Sequence, residues 1–502
     1  MPVDVPYLGA RSTLWIIAEM HLFFAALILG APIFIVICEY LGYRSGDQRY
    51  ERLAKETMKV VTIAYSFTAI SGGLFAFVLA MFYPAFSNFI FVKFASVWGL
   101  YGLLILLESA LMYTYWYSWG PLAHRKNLHI AIGVALNVVG TVVMLLPNAV
   151  AAYMLTPPEQ ETGLWSIVSN PTWSGLNLHR FIANITFGGF IVALFAAFMF
   201  LFSRSEEDRA FYDWMGYIGN LIGVGTLMLL PLAGYIYAKE LFLYSATIST
   251  FQMADKLAPF FVMQGVLIGL IFIGVNYYMW TSIWRIEGGR RFLPYRTPTF
   301  VALFVTATLW IIPANMLPDI ATPIPEGVNP SDVLIPERWG VLSLMMPKAL
   351  AVTGMLIFTF LTYMVYWRAI GTGNIRWGEV PPQSQYALIL VPAAIVYLMG
   401  LMGAIRELTR QDWHVYLQMR DLTPYWYTTP LSYTSSMTAL VTILFFAFLA
   451  FIFWVGFLLG RKEQGSGDAP ARGKGRTPHQ ARDERAGVSE GAGEQGRKEA
   501  QA

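Results

Sequence analysis

A handful of ionisable side chains stand inside or at the edge of long apolar runs, and they are where chemistry has to be sought. His21 lies in Ala18-Glu19-Met20-His21-Leu22-Phe23-Phe24, and His179 in Asn177-Leu178-His179-Arg180-Phe181. Glu108 lies in Leu106-Leu107-Glu108-Ser109-Ala110, and Glu407 opens Glu407-Leu408-Thr409-Arg410-Gln411-Asp412-Trp413. Polar groups at membrane depth are costly, and they usually face a bundle interior or a cavity. Imidazole and carboxylate bind metals and carry protons, while guanidinium pairs with carboxylates through its planar fork. Each residue alone has a plainer reading: a hydrogen-bonded packing histidine, or an interfacial ion pair of Glu407 with Arg406 or Arg410. Their common placement decides between these.

The elements that place them are membrane helices. The chain has 502 residues, is 56% hydrophobic and only 13% charged, too apolar for a soluble globule of this size. Apolar runs fall at 13–40, 57–82, 93–118, 128–155, 178–203, 212–237, 258–283, 298–316, 343–366, 385–405 and 436–460. Each approaches or exceeds the ~20 residues that cross a bilayer, and none alternates as a barrel strand does. The reading is an all-α polytopic membrane bundle of about eleven helices. The first run is long enough to be a retained helix rather than a signal peptide. Residues 1–460 form the bundle, and 461–502, rich in Gly, Glu, Arg, Lys, Ala and Gln, form a polar tail expected to be disordered.

Charge in the loops sets an expected orientation. Arg44, Arg49, Arg52 and Lys55, then Arg125 and Lys126, Arg204 and Arg209, Arg285, Arg290, Arg291 and Arg296, and Arg368 and Arg376 mark alternate loops. This places the N-terminus outside and the C-terminus in the cytoplasm. The loop holding Arg406, Arg410 and Arg420 breaks the pattern, so its charge serves something else. The net charge of +3 suggests no nucleic-acid partner, and the single cysteine, Cys38, excludes a disulfide, a thiolate zinc site or an iron–sulfur cluster held by this chain alone.

In that orientation His21, His179 and Glu407, from three helices distant in sequence, reach the same outer leaflet, with Glu108 near mid-depth. Two imidazoles and a carboxylate in an apolar bundle suit haem iron, and an arginine beside them suits haem propionates. A cofactor-free proton-coupled transporter also uses buried His and Glu, but it calls for interrupted helices and sites at the midplane.

With these residues in place, the chain resembles subunit I of cytochrome bd-type terminal oxidases over the first six and last three helices. The matching pieces are His21 followed by aromatics, Leu107-Glu108-Ser109, Tyr117-Ser118-Trp119-Gly120, Asn170-Pro171 leading to His179, and the stretch Glu407 to Trp413. The resemblance implies that His21 and Glu407 ligate the two high-spin haems and His179 the low-spin haem b. It places Glu108 on a proton path, Arg410 at a propionate, Trp413 in the signature beside it, and Lys348 by the low-spin haem. It implies haem b in two or more copies with haem d as an option, a second membrane subunit, a quinol or cytochrome c-like donor, dioxygen as acceptor, and a place in the bacterial inner membrane. A haem b conduit between quinone and a cytochrome, without oxygen reduction, is the alternative within redox chemistry. Three departures stand out. The signature reads Thr-Arg-Gln-Asp-Trp where the family has Gly-Arg-Gln-Pro-Trp. The second low-spin ligand, a methionine, falls on Leu350, with Met345, Met346 and Met355 close by. Two helices replace the long hydrophilic quinol-binding segment.

Overall fold

The computed structural model describes residues 5, 8–245, 248–249, 257–312, 346–420 and 431–467. The helices are α1 Gly9–Ser45, α2 Gln48–Phe82, α3 Pro84–Lys93, α4 Ala95–Tyr117, α5 Lys126–Leu155, α6 Leu164–Val168, α7 Trp173–Phe202 and α8 Glu206–Leu227. They continue as α9 Leu230–Tyr244, α10 Ala258–Ser282, α11 Arg296–Ile311, α12 Met346–Ile370, α13 Pro382–Thr409 and α14 Leu431–Gly467. A short hairpin, β1 Trp413–Val415 with β2 Met419–Arg420, follows α13 and pairs antiparallel.

Among the described residues, ten stretches are long and apolar enough to span a bilayer, with Glu206–Tyr244 counted as one. The chain is therefore a multi-pass membrane protein built as a helical bundle. The run expected at 298–316 is present as the 16-residue α11, and 313–345 lies outside the described residues. So does the expected tail beyond Gly467; before it, α14 carries helical backbone through 461–467. The chain divides into two compact units, Met1–Gly456 and Phe457–Ala502.

Helix ends follow local chemistry. Gly46 closes α1 at φ 74°, and the Asp47 carboxylate then accepts from Arg49 N at 3.0 Å to start α2. Ser205 caps α8 by accepting from Asp208 N at 3.1 Å, with Glu206, Glu207 and Asp208 in the first turn. Two-thirds of the apolar windows of α1 and α7 is buried, against 17% for α4, so α1 and α7 are the centre of the bundle. Small residues let central helices touch: a Cβ at Gly188 would lie 2.7 Å from Ala31 N, and one at Gly189 2.7 Å from Gly223 N. In a bilayer, where lipid competes with apolar side chains, such close backbone contact drives association.

The short α1–α2, α4–α5 and α7–α8 turns meet at one end, here called inner after the charge expectation. Arg52 Nη2 donates to Asp208 Oδ1 at 2.8 Å, joining α2 to α8. Buried Glu39 accepts from Tyr115 Oη at 2.6 Å and lies 2.6 Å from His129 Nδ1, which fastens α1 to α4 and α5.

Candidate functional site

At the other end of the bundle, charged side chains converge from α1, α7 and α13 beside Asn148 of α5. Helix α13 ends in Arg406-Glu407-Leu408-Thr409-Arg410, and its last turn places Glu407 and Arg410 three residues apart on one face. Arg410 is 2% exposed. Its Nη2 donates to Glu407 and its Nη1 to the His414 carbonyl at 2.6 Å. Arg406 donates to the Ala151 carbonyl of α5. Glu19, 5% exposed on α1, occupies the space left by Gly403 of α13 and faces Arg180, Glu407 and Arg406. Arg11 is a further neighbour of Glu407. Arg180 Nη1 donates to Asn148 Oδ1 at 2.7 Å, and Asn148 Nδ2 in turn donates to Asn177 Oδ1 at 2.7 Å.

Four arginines, Arg11, Arg180, Arg406 and Arg410, thus gather around two carboxylates, Glu19 and Glu407. Several buried donors here have no partner among the described residues: Arg406 Nε, Arg410 Nε, Asn177 Nδ2, and His179 Nδ1, a donor in one tautomer. Buried polar atoms are ordinarily paired, so such orphans call for a partner from outside the chain. Among the described residues, arginines outnumber carboxylates in this cluster.

The structure sends the expected ligands to different neighbours around this cluster. His179 is half-buried on α7, next to Arg180, with Tyr237 of α9 near-parallel at 6.5 Å between ring centroids and Gly234 beside it. His21, two residues along α1 from Glu19, rests instead on α2: Nδ1 lies 3.3 Å from Ser71 Oγ, and a Cβ at Gly72 would come within 2.9 Å of its ring. Glu108 is buried in the groove between α4 and α5, and its Oε1 would be 2.9 Å from a Cβ at Gly140. Lys348 is buried, and its ammonium caps the end of α11 through the Trp310 and Ile312 carbonyls. Leu350 is 55% exposed, whereas Met355, one turn and a residue along α12, is fully buried. Met345 lies outside the described residues.

The hairpin after α13 is turned by Gln411 at φ 54° and Leu417 at φ 57°. His414 stacks on Phe86 at 4.9 Å, and Arg420 lies over the Trp413 ring at 5.2 Å. A polar knot anchors it. Lys93 Nζ donates to Tyr153 Oη at 2.6 Å and to Glu161 at 2.6 and 2.8 Å, and Tyr153 Oη lies 2.5 Å from Gln418 Oε1. Burial alone would raise the Glu161 carboxyl, but the bonds from Lys93 and Tyr153 outweigh it and hold the group below its ordinary range.

Glu19 and Arg180 are members of this cluster that the sequence reading passed over. Both stand within two residues of a histidine that it singled out, and the rule that flagged the histidines, an ionisable group in an apolar run, applies to them equally.

The fold and the charged end define a class, multi-pass helical membrane proteins with the architecture of bd oxidases. The bd oxidase structure from Geobacillus thermodenitrificans superposes with a TM-score of 0.50 over 90% of this chain and 98% of that one, at 12% identity, a likeness of fold. Residues 10–247 match the family model for cytochrome bd terminal oxidase subunit I. A Bacillus subtilis protein provisionally designated cytochrome bd menaquinol oxidase subunit I is 22% identical over 206 residues, 39% of this chain and 46% of the other. The chain thus spans about half the length of that curated relative.

Proposed function

We propose that the chain is a haem-carrying subunit of a membrane electron-transfer complex, an oxidoreductase that takes electrons from a quinol or cytochrome donor and passes them to dioxygen. The observation that carries the reading is the set of orphaned buried donors, Arg406 Nε, Arg410 Nε and Asn177 Nδ2, together with the unpartnered His179 Nδ1, which can ligate when unprotonated, within a cluster of arginines and two glutamates. Haem fits this set: its propionates supply the missing negative charge and acceptor oxygens, and its iron takes an imidazole. The family match of residues 10–247 supports the same reading, as does the menaquinol oxidase designation of the Bacillus subtilis relative.

Bound haem supplies one-electron chemistry and an oxygen-binding iron. The chain supplies ligation and electrostatics. His179 offers its buried ring nitrogen as the low-spin ligand, and His21 and Glu407 serve the high-spin pair. Arg410 and Arg406 hold propionates, and Trp413 packs on the hairpin that Arg410 secures. Glu108, in a dry groove, is the protonatable group that serves oxygen reduction. A second membrane subunit completes the complex. The second reading is a haem b conduit between quinone and a cytochrome without oxygen reduction; at Leu350, 55% exposed, the resemblance leaves the second low-spin ligand moved or missing.

The test is the reduced-minus-oxidised spectrum of the purified chain. Haem bands, with a low-spin b signal lost in His179→Ala, support the proposal; no Soret band in the wild type overturns both haem readings and leaves the transporter.

A further inference from the structure

A second polar system lies in the other half of the bundle, between α8, α10 and α12, away from the residues assigned above. Polar side chains from three helices face one another: Asp213, Tyr217 and Asn220 at one-turn spacing on α8, Thr359, Tyr363 and Tyr366 at one-turn spacing on α12, and Asn276, Tyr278 and Arg285 on α10 and just beyond it. None is more than 8% exposed. Around the Asp213–Arg285 pair the system is saturated. Arg285 Nη1 donates to Asp213 Oδ1 at 2.6 Å, its Nε and Nη2 donate to Tyr366 Oη at 2.8 and 2.6 Å, and Gly378 N donates to Asp213 Oδ2 at 3.0 Å.

Deeper in the membrane it is not. Asn220 Nδ2 donates to Tyr363 Oη at 2.7 Å, and Asn276 Nδ2 to Thr359 Oγ1 at 2.9 Å. Their carbonyl oxygens, and both amide atoms of the fully buried Gln385 at the inner end of α13, have no partner among the described residues. The Tyr363 hydroxyl accepts from Asn220 and the Tyr366 hydroxyl from Arg285, so their own protons remain to be donated. The Asn220 and Asn276 acceptors and the Tyr363 hydroxyl sit in one seam, and Gln385 lies one turn before Leu388, which packs against Gly216 of α8. Apolar packing leaves no such remainder, and a purely structural ion-pair clasp would end at Asp213 and Arg285. Bridging water satisfies both sets, since a buried water makes about three hydrogen bonds to otherwise unpaired groups. One turn above Asn220, Asn276 and Thr359 the same faces carry Val224, Phe272 and Met355, all fully buried and apolar, which closes the seam.

We propose that this seam is a hydrated half-channel, giving water and protons access from the inner end to mid-membrane through Gln385, Tyr366, Tyr363, Asn220 and Asn276. The inference does not rest on the haem reading. It is tested by radiolytic hydroxyl-radical labelling of the full chain in lipid nanodiscs, read residue by residue by mass spectrometry. Tyr363 is expected to be modified at a rate near that of exposed Tyr295, and buried Phe34 and Phe187 several-fold more slowly. Tyr363 as unreactive as Phe34 overturns the proposal. In Asn220→Leu/Asn276→Leu, labelling of Tyr363 is expected to fall several-fold; unchanged labelling overturns the route. Gln385→Leu, nearer the inner end, blocks the same path should the double variant not fold, and it is read by the same two outcomes.

Discussion

Arg410 holds two parts of the chain at once: one of its terminal nitrogens reaches back a turn to Glu407, and the other binds the carbonyl of His414 in the hairpin at 2.6 Å. The last turn of α13 and the hairpin after it are therefore one unit built around a buried guanidinium. Replacing Arg410 by alanine leaves Glu407 with one partner fewer and the hairpin loose. Glu407 keeps 30% of its side chain exposed, so the cost is that of losing the buried guanidinium's hydrogen bonds, about 1–3 kcal/mol. A lower unfolding temperature and a lower haem-to-protein ratio are expected, and Arg410→Lys, lacking the fork, should restore little of either. Wild-type haem content in Arg410→Ala would sink the propionate role.

His21 and His179 face different helices, so their losses should separate. His179→Ala is expected to abolish a low-spin b signal and leave high-spin absorbance, and His21→Ala to do the reverse. Low-temperature difference spectra of the two variants check this, and identical losses in both would show that one haem, or none, uses them.

The Asp213–Arg285 pair is fully buried and tied to Tyr366 and Gly378 N. Arg285→Ala strands the Asp213 carboxylate and is expected to destabilise by about 3–5 kcal/mol. Asp213→Asn keeps the shape and should cost less. Thermal unfolding in detergent followed by tryptophan fluorescence separates the two, and equal small effects would mean that the pair is not what joins α8 to α10.

Gly189 approaches the backbone of Gly223 with no room for a methyl group. Gly189→Ala must part α7 from α8, an overpacking that costs about 1–3 kcal/mol. A thermal midpoint equal to wild type would contradict the close contact.

Glu161 is held below its ordinary range by Lys93 and Tyr153, although burial opposes them. A depressed carboxyl binds fewer protons folded than unfolded. Its stabilisation is therefore present above the unfolded value, about 4.3, and is lost as pH falls through the folded one. Lys93→Met should flatten that acid-side decline in stability, and an unaltered pH profile would exclude the coupling.

The spans were legible in the sequence, because hydropathy and cost at membrane depth act on each segment independently of its neighbours. That is why His21, His179, Glu108 and Glu407 stand out without a fold. Glu19 and Arg180 were equally legible by that rule, but nothing in the sequence says that Glu19 lies against Gly403 or that Arg180 reaches Asn148. Those pairings depend on which faces of α1, α5, α7 and α13 meet, and small-residue contacts such as Gly188 on Ala31 set that only in three dimensions. The same holds for Asp213 and Arg285, which read as ordinary residues near a span end until the packing of α8, α10 and α12 buries them together. Sequence determined which residues must be protected from lipid; tertiary structure decided which of them protect one another, because only packing sets which helix faces meet.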